Sequence, residues 1–218
     1  MTNSANMADL NILFESIVAG RLEPAVKKTE EAITEGVEPQ IVINDYMIKA
    51  METIGQRFQE GKAFVPELLM AARAMKGALD LLKPLLKGDR SATAGTVVIG
   101  TVKGDLHDIG KNLVASMLEG CGFEVINLGV DISVEQFIDA LKKENADILC
   151  MSALLTTTMN YMKVIIEALE KEGLRSKVKV MVGGAPVNEK FAIQIGADGY
   201  SSDANSAVTK AKELLLAN

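Results

Sequence analysis

Apolar positions change period near residue 90. Before it they recur every three or four residues. Leu10, Leu13, Phe14, Ile17 and Val18 form one such stripe, ended by Gly20. Leu22, Ala25, Val26, Thr29, Ala32 and Ile33 form a second, ended by Gly36. Pro39 opens a third stripe through Ile43, Met47, Ala50, Met51, Ile54 and Phe58. Pro66 opens a fourth through Leu68, Leu69, Ala72, Met75, Leu79, Leu82 and Leu86. This is the period of one helix face, with proline at the start and glycine past the end. Four such segments with short connections predict an antiparallel bundle over 1–88. The small, polar stretch KGDRSATAG (87–95) reads as a linker. Beyond it, short β-rich runs at 96–102, 123–129, 146–155, 178–184 and 199–202 alternate with helical segments near 111–119, 133–144, 158–172, 188–195 and 204–216. The runs are continuously apolar, as in strands buried on both faces. Alternation with helices predicts an α/β unit over 89–218: a doubly wound, flavodoxin-like parallel sheet of five strands. Ligands of such sheets sit beyond the carboxyl ends of the strands.

Composition narrows the function classes. The chain has 218 residues, 48% hydrophobic and 24% charged, which excludes a disordered or fibrous protein. A net charge of −6 argues against nucleic acid as partner. Cys121 and Cys150 are far apart and match no metal or redox spacing, so a disulfide scaffold is excluded and a reducing compartment expected. No signal peptide is visible at the N-terminus and no apolar run is long enough to span a membrane, so the expected location is cytoplasmic, without membrane or nucleic-acid partners.

The chemistry concentrates after the first β run, in GTVKGDLHDIGKN (100–112), which holds the one histidine of the chain between two aspartates. A phosphate loop fails on spacing. Five residues separate Gly104 from Gly110 where four are needed, Asn112 follows Lys111, and no GxGxxG is present. One imidazole cannot close a metal shell built from protein alone. It can ligate a metal that arrives with its other ligands attached, and Asp105 could bond the second ring nitrogen and raise ligand basicity. Taken singly, every element has a plain structural reading. His107 could be a loop histidine, Asp105 a helix cap, Ser152 and Thr156 turn residues, and Gly183-Gly184 a tight turn. The methionines read as core filler, and both cysteines as packed in the core. A phosphoacceptor receiver domain shares this architecture, but Asp147 lies at the wrong end of its strand.

The pattern D-x-H-x-x-G (Asp105, His107, Gly110) resembles the signature of cobalamin-binding domains. S-x-L (Ser152, Leu154) with Thr156 and the pair Gly183-Gly184 stand where that family has them. Residues 55–86 are similar to the helical cap that precedes the cobalamin domain of methionine synthase. The same pairing makes up small corrinoid proteins of methyltransferase systems (methanol, methylamine and O-demethylase types).

The resemblance implies cobalamin or a related corrinoid bound base-off, His-on. His107 would be the lower axial cobalt ligand. Asp105 and the hydroxyl of Thr158 would complete a proton relay that couples ligand release to proton uptake. Gly104, Leu106, Asp108, Ile109 and Gly110 would surround the ligand. Ser152, Leu154, Thr156, Gly183, Gly184 and Ala204 would line the slot for the nucleotide tail. Phe64, Leu68 and Leu69 would cap the upper face, and the bundle would swing about the 87–95 linker. The implied function is a methyl carrier. It accepts a methyl group on cobalt(I) from a substrate:corrinoid methyltransferase. It delivers that group from methyl-cobalt(III) to a second methyltransferase acting on a thiol cofactor or tetrahydrofolate. A reductive activation protein would be a further partner. The donor (methanol, a methylamine, a betaine or a methoxylated aromatic) is left open. A cobalamin-sensing regulator and the small subunit of a carbon-skeleton mutase are the alternatives.

Overall fold

The computed structural model describes residues 4–86 and 94–216. It divides into two units: the helices before residue 87, grouped with Glu119–Gly122, and the sheet with the remaining helices.

The helical unit follows the apolar stripes. Helix α1 spans Ser4–Val18 and α2 spans Leu22–Thr34. Short α3 (Pro39–Ile41) runs through a π-helical turn, Val42–Met47, into α4 (Ile48–Gln59). Helix α5 (Val65–Leu82) ends in a 3₁₀ turn, Lys83–Leu86. The side chain of Glu67 accepts the Phe64 N–H at 2.7 Å and so caps the start of α5. The π turn corrects the predicted phase of the third stripe. Val42 and Met47, five apart, are fully buried, while Ile43 is half-exposed. A π turn bonds i to i+5 and so shifts the buried face by one residue before the ordinary spacing resumes at Ala50, Met51 and Ile54. Gly20 (φ +65°) turns the chain from α1 to α2, and a Cβ there would lie 2.4 Å from the Met70 Cβ of α5. Only glycine fits that approach.

The second unit is a five-stranded, all-parallel sheet of order β2-β1-β3-β4-β5: β1 Thr96–Thr101, β2 Glu124–Asn127, β3 Ile148–Ser152, β4 Lys179–Gly183 and β5 Gly199–Tyr200. The central strands β1, β3 and β4 are nearly wholly buried, as their unbroken apolar runs require. Val98, Leu149, Met151, Val180 and Val182 pack with Phe137, Ile138 and Leu141 of α7 (Val134–Glu144) and with Met162, Ile165 and Ile166 of α8 (Tyr161–Lys171). Gly100 makes room for the Phe137 ring, since a Cβ there would meet it at 2.8 Å. Alternate residues Val97, Ile99, Ile148 and Cys150 are buried as well, on the opposite side of the pleat. The remaining helices are α6 (Ile109–Gly120), α9 (Glu189–Ile195) and α10 (Ala204–Leu216).

Strand β1 has β2 on one side and β3 on the other. The chain therefore leaves β1 and β3 in opposite directions, and a crevice opens beyond their carboxyl ends. The loops 102–108 and 153–160 border it.

Candidate functional site

Asp105 is the anchor of this crevice. Its side chain is fully buried between the two loops. One carboxylate oxygen accepts the His107 ring Nδ1–H at 2.7 Å and the His107 backbone N–H at 3.1 Å. The other accepts the backbone N–H of Leu154 at 2.7 Å and of Leu155 at 3.2 Å, and the Thr158 hydroxyl at 2.8 Å. Burial works to raise its pKa. The bonds from the His107 ring, Leu154, Thr158 and the His107 backbone outweigh burial and hold the carboxyl well below the usual carboxylate range. Asp105 is thus a fixed anion. An ionised carboxylate only accepts, so the imidazole donates from Nδ1, and in the neutral ring that leaves the lone pair on Nε2. The ring is 52% exposed. Thr101 Oγ1, itself buried, donates to the His107 carbonyl at 2.9 Å and fixes the backbone beneath the ring.

The two loops and the first turn of α6 hold large apolar side chains in solvent: Leu106 (71% exposed), Ile109 (87%), Leu154 and Leu155. Gly110, in the first turn of α6, has an ordinary φ and open space where a Cβ would be. Nothing in the chain itself asks for glycine there, and glycine costs about 1 kcal/mol relative to alanine inside a helix. Among the described residues, no group of three or more His, Cys, Asp or Glu side chains is placed to hold an ion. A lone, carboxylate-braced imidazole on loops that expose large apolar groups and a bare glycine fits a flat apolar macrocycle that brings its own metal.

The structure joins Asp105, His107, Thr158 and Leu154 by direct bonds. The other predicted residues are placed as follows. Ser152 ends β3, and its carbonyl accepts the Val102 N–H at 3.0 Å. Thr156 is exposed in the following loop. Gly183 ends β4; its carbonyl accepts the Ala153 N–H, and a Cβ there would approach the Ser201 carbonyl at 3.4 Å. Gly184 (φ +121°) has a further reason to be glycine, since a Cβ would lie 1.9 Å from the Ala153 carbonyl. Its lack of a side chain lets β3 and β4 come together at their ends, besides any slot it leaves. Ala204 is buried at the start of α10 behind Asp203, whose carboxylate accepts the Ser206 N–H. Asp108 accepts from Asn112 at 2.8 Å. In the helical unit Phe64 is 67% exposed, Leu69 is partly exposed and Leu68 is fully buried. Of the expected 87–95 linker, residues 87–93 lie outside the described residues.

Three residues escaped the sequence reading. Lys111 is a buried ammonium whose Nζ donates to the side-chain oxygens of Asn112 and Asn127, both at 2.6 Å. Burial lowers its pKa and Asp108 opposes that. Asn127, the last residue of β2, also accepts the Gly129 N–H at 3.0 Å, so it ties the first turn of α6 to the loop after β2. Asp131 belongs to that loop, and its carboxylate accepts the Gly104 N–H. The available signal was a polar Asx residue directly after a strand, a common turn former.

A flavodoxin-like domain that offers one braced imidazole at its switch point defines a class: a binding domain for a metal that arrives already chelated. Comparison with known proteins names the chelate. Two family profiles, each described as the B12 binding domain, match residues 95–209 and 10–83. The dimethylamine corrinoid protein of Methanosarcina barkeri is 44% identical over 94% of this chain and 97% of its own length. Trimethylamine corrinoid protein 2 of Methanosarcina mazei is 43% identical over 88% of this chain and 89% of its own. Among solved structures, the methanol:cobalamin methyltransferase complex MtaBC from Methanosarcina barkeri superposes with a TM-score of 0.83 at 31% identity, over 97% of this chain and 81% of that one. The chain belongs to the corrinoid proteins of methylamine methyltransferase systems, built from B12-binding domains. Its role is that of a corrinoid methyl carrier. Among the described residues no helix is long and apolar enough to cross a membrane.

Proposed function

We propose that this protein carries methyl groups from a methylated amine, with dimethylamine the first candidate, on a corrinoid whose lower ligand is His107. When bound, the corrinoid supplies a cobalt able to accept and release a methyl group. The chain's own residues do the rest. His107 offers Nε2 to the metal. Asp105 keeps the proton on Nδ1 and receives the ring's pull through a bond already satisfied from the other side by Leu154, Leu155 and Thr158. With the imidazole free of a metal, the Asp105 carboxylate would stabilise a proton taken up by the ring, and the Thr158 hydroxyl would balance the carboxylate. Leu106, Ile109 and Leu154, exposed near the imidazole, would pack against the macrocycle and exclude water there. Ser152, Thr156, Gly183, Gly184 and Ala204, near the carboxyl ends of β3, β4 and β5, would border a slot for the nucleotide tail.

The donor reading is supported by the dimethylamine and trimethylamine names of the relatives at 44% and 43% identity. The partners follow from it: an amine:corrinoid methyltransferase, a second methyltransferase that passes the group to a thiol cofactor or tetrahydrofolate, and a reductive activation protein, all in the cytoplasm. One observation carries the ligand assignment. A fully buried carboxylate bonds Nδ1 of the chain's only imidazole and so reserves Nε2. The test is paramagnetic resonance of the cobalt(II) form reconstituted with cobalamin. Replacing ¹⁴N by ¹⁵N in histidine alone is expected to change the nitrogen splitting, and H107A is expected to abolish that change. Splitting that ignores histidine labelling refutes the assignment. A donor screen with the cognate methyltransferase, expected to select a methylated amine over methanol, tests the substrate class.

A further inference from the structure

The carboxylate of Asp105 is held from the β3 side, but its backbone is held from the β2 side by one residue, Asp131. Asp131 sits in the loop between β2 and α7 in the left-handed region, at φ +57°. Asp and Asn visit that region more readily than other non-glycine residues, yet at some cost, and such conformations persist only where surrounding contacts demand them. Here the contacts are plain. The Asp131 carboxylate accepts the Gly104 N–H at 2.7 Å, and the Asp131 N–H donates to the Asp105 carbonyl at 3.1 Å. Asp131 therefore brackets the Gly104–Asp105 pair from both ends. Gly104 is itself left-handed, at φ +82°, and its missing Cβ would meet nothing closer than 3.5 Å. It is glycine for its backbone angle, and that angle is what aims its N–H at Asp131. Neighbouring bonds continue the clasp: the Ile132 N–H to the Thr101 carbonyl and the Thr101 N–H to the Gly129 carbonyl, each 3.0 Å. If only the turn mattered, glycine at 131 would serve at no strain. An aspartate adds the one thing glycine lacks, an acceptor for Gly104.

We infer that Asp131 is a positioning residue for the imidazole: by clasping Gly104 and Asp105 from the β2 side it aims the Asp105 carboxylate at Nδ1, and so sets how fully His107 engages the corrinoid metal. The inference rests on His107 being the metal ligand. It makes the β2–α7 loop, which gives no hydrogen bond to the imidazole or to the Asp105 carboxylate oxygens, a tuning element for ligation.

The experiment compares wild type, D131A, D131N and D131G as full-length proteins. Without cofactor, amide exchange at Gly104 and the His107 ring tautomer are read by NMR. With cobalamin in the cobalt(II) state, the imidazole-bound fraction is read from the ¹⁵N-histidine splitting. D131A and D131G are expected to speed Gly104 exchange about tenfold to a hundredfold, the range one lost charge-assisted hydrogen bond is worth. They are also expected to lower the Nδ1–H tautomer population and the imidazole-bound fraction several-fold. D131N, whose amide oxygen can accept the same N–H and which tolerates the same φ, is expected to restore all three. D131G, free of backbone strain, separates loss of the acceptor from loss of folding. A D131A protein with wild-type tautomer and bound fraction, or a D131N protein as impaired as D131A, overturns the inference. If wild type itself shows no histidine splitting, the ligand assignment fails instead. The cofactor-free tautomer then decides on Asp131 alone, and an unchanged value in D131A overturns it.

Discussion

Exchanging Asp105 for Asn keeps the size of the side chain and turns one of its two acceptor oxygens into a donor. The His107 side presents a ring Nδ1 and a backbone N–H; the β3 side presents the Leu154 and Leu155 N–H groups and the Thr158 hydroxyl. An amide NH₂ turned toward β3 would strand two backbone donors. Turned toward His107 it strands only one, because the imidazole can move its proton to Nε2 and accept at Nδ1. D105N should therefore adopt the second arrangement. Hydrogen bonds to a charged acceptor contribute about 1.5–3 kcal/mol each. Losing one and neutralising the acceptor of the rest costs about 2–4 kcal/mol after the relief of burying a neutral group instead of a charge. With a urea slope of about 2 kcal/mol per molar, the midpoint of the cofactor-free protein should fall by about 1–2 M at neutral pH. The pH dependence has a definite sign. Asp105 is held below its unfolded pKa, so its stabilisation is complete above about pH 4 and is lost as the pH falls toward the lowered folded value. The gap between wild type and D105N should narrow on acidification. Two assays suffice: urea unfolding across that pH range, and ¹⁵N NMR of the imidazole. Equal midpoints at neutral pH, a gap indifferent to acid, or a persistent Nδ1–H tautomer in D105N would each refute the reasoning. Since the shifted proton occupies Nε2, the variant should also bind corrinoid without an imidazole ligand.

Two glycines of the family pattern should behave oppositely. G184A places a Cβ 1.9 Å from the Ala153 carbonyl at φ +121° and should lower stability by about 3 kcal/mol or more, seen as loss of soluble protein or a large fall in Tm. G110A meets open space and should leave the cofactor-free protein as stable or up to about 1 kcal/mol more so, yet weaken cobalamin retention on gel filtration. Cys150 is buried in β3, and burial pushes its thiol up to about 12, so at pH 8 it should resist alkylation until the chain is unfolded; modification of the native Cys150 peptide, read by mass spectrometry, would contradict this.

The sequence alone carried the two-part architecture, because helix and buried parallel strand impose different periods on apolar residues. It also placed Asp105, His107, Ser152 and Gly183-Gly184 at or just past the carboxyl ends of strands, where a doubly wound sheet exposes its loops. It misjudged the phase of the third helix, since a π turn leaves no mark in a period of three or four. Gly184 was legible as a turn glycine or as part of the family pattern, but not the close approach of the Ala153 carbonyl that requires it. What only the tertiary structure decided is how Asp105 itself is held. The Thr158 hydroxyl was expected beside it from the resemblance, but the Leu154 and Leu155 N–H groups reach it from some fifty positions away in the chain, and Asp131 reaches its backbone from the other neighbouring strand. Hydrogen bonds between loops depend on which strands lie side by side, and the order β2-β1-β3 that sets Asp105 between both partners is a property of the assembled sheet. Apolar periodicity records which face of an element is buried; it holds no record of which neighbour buries it.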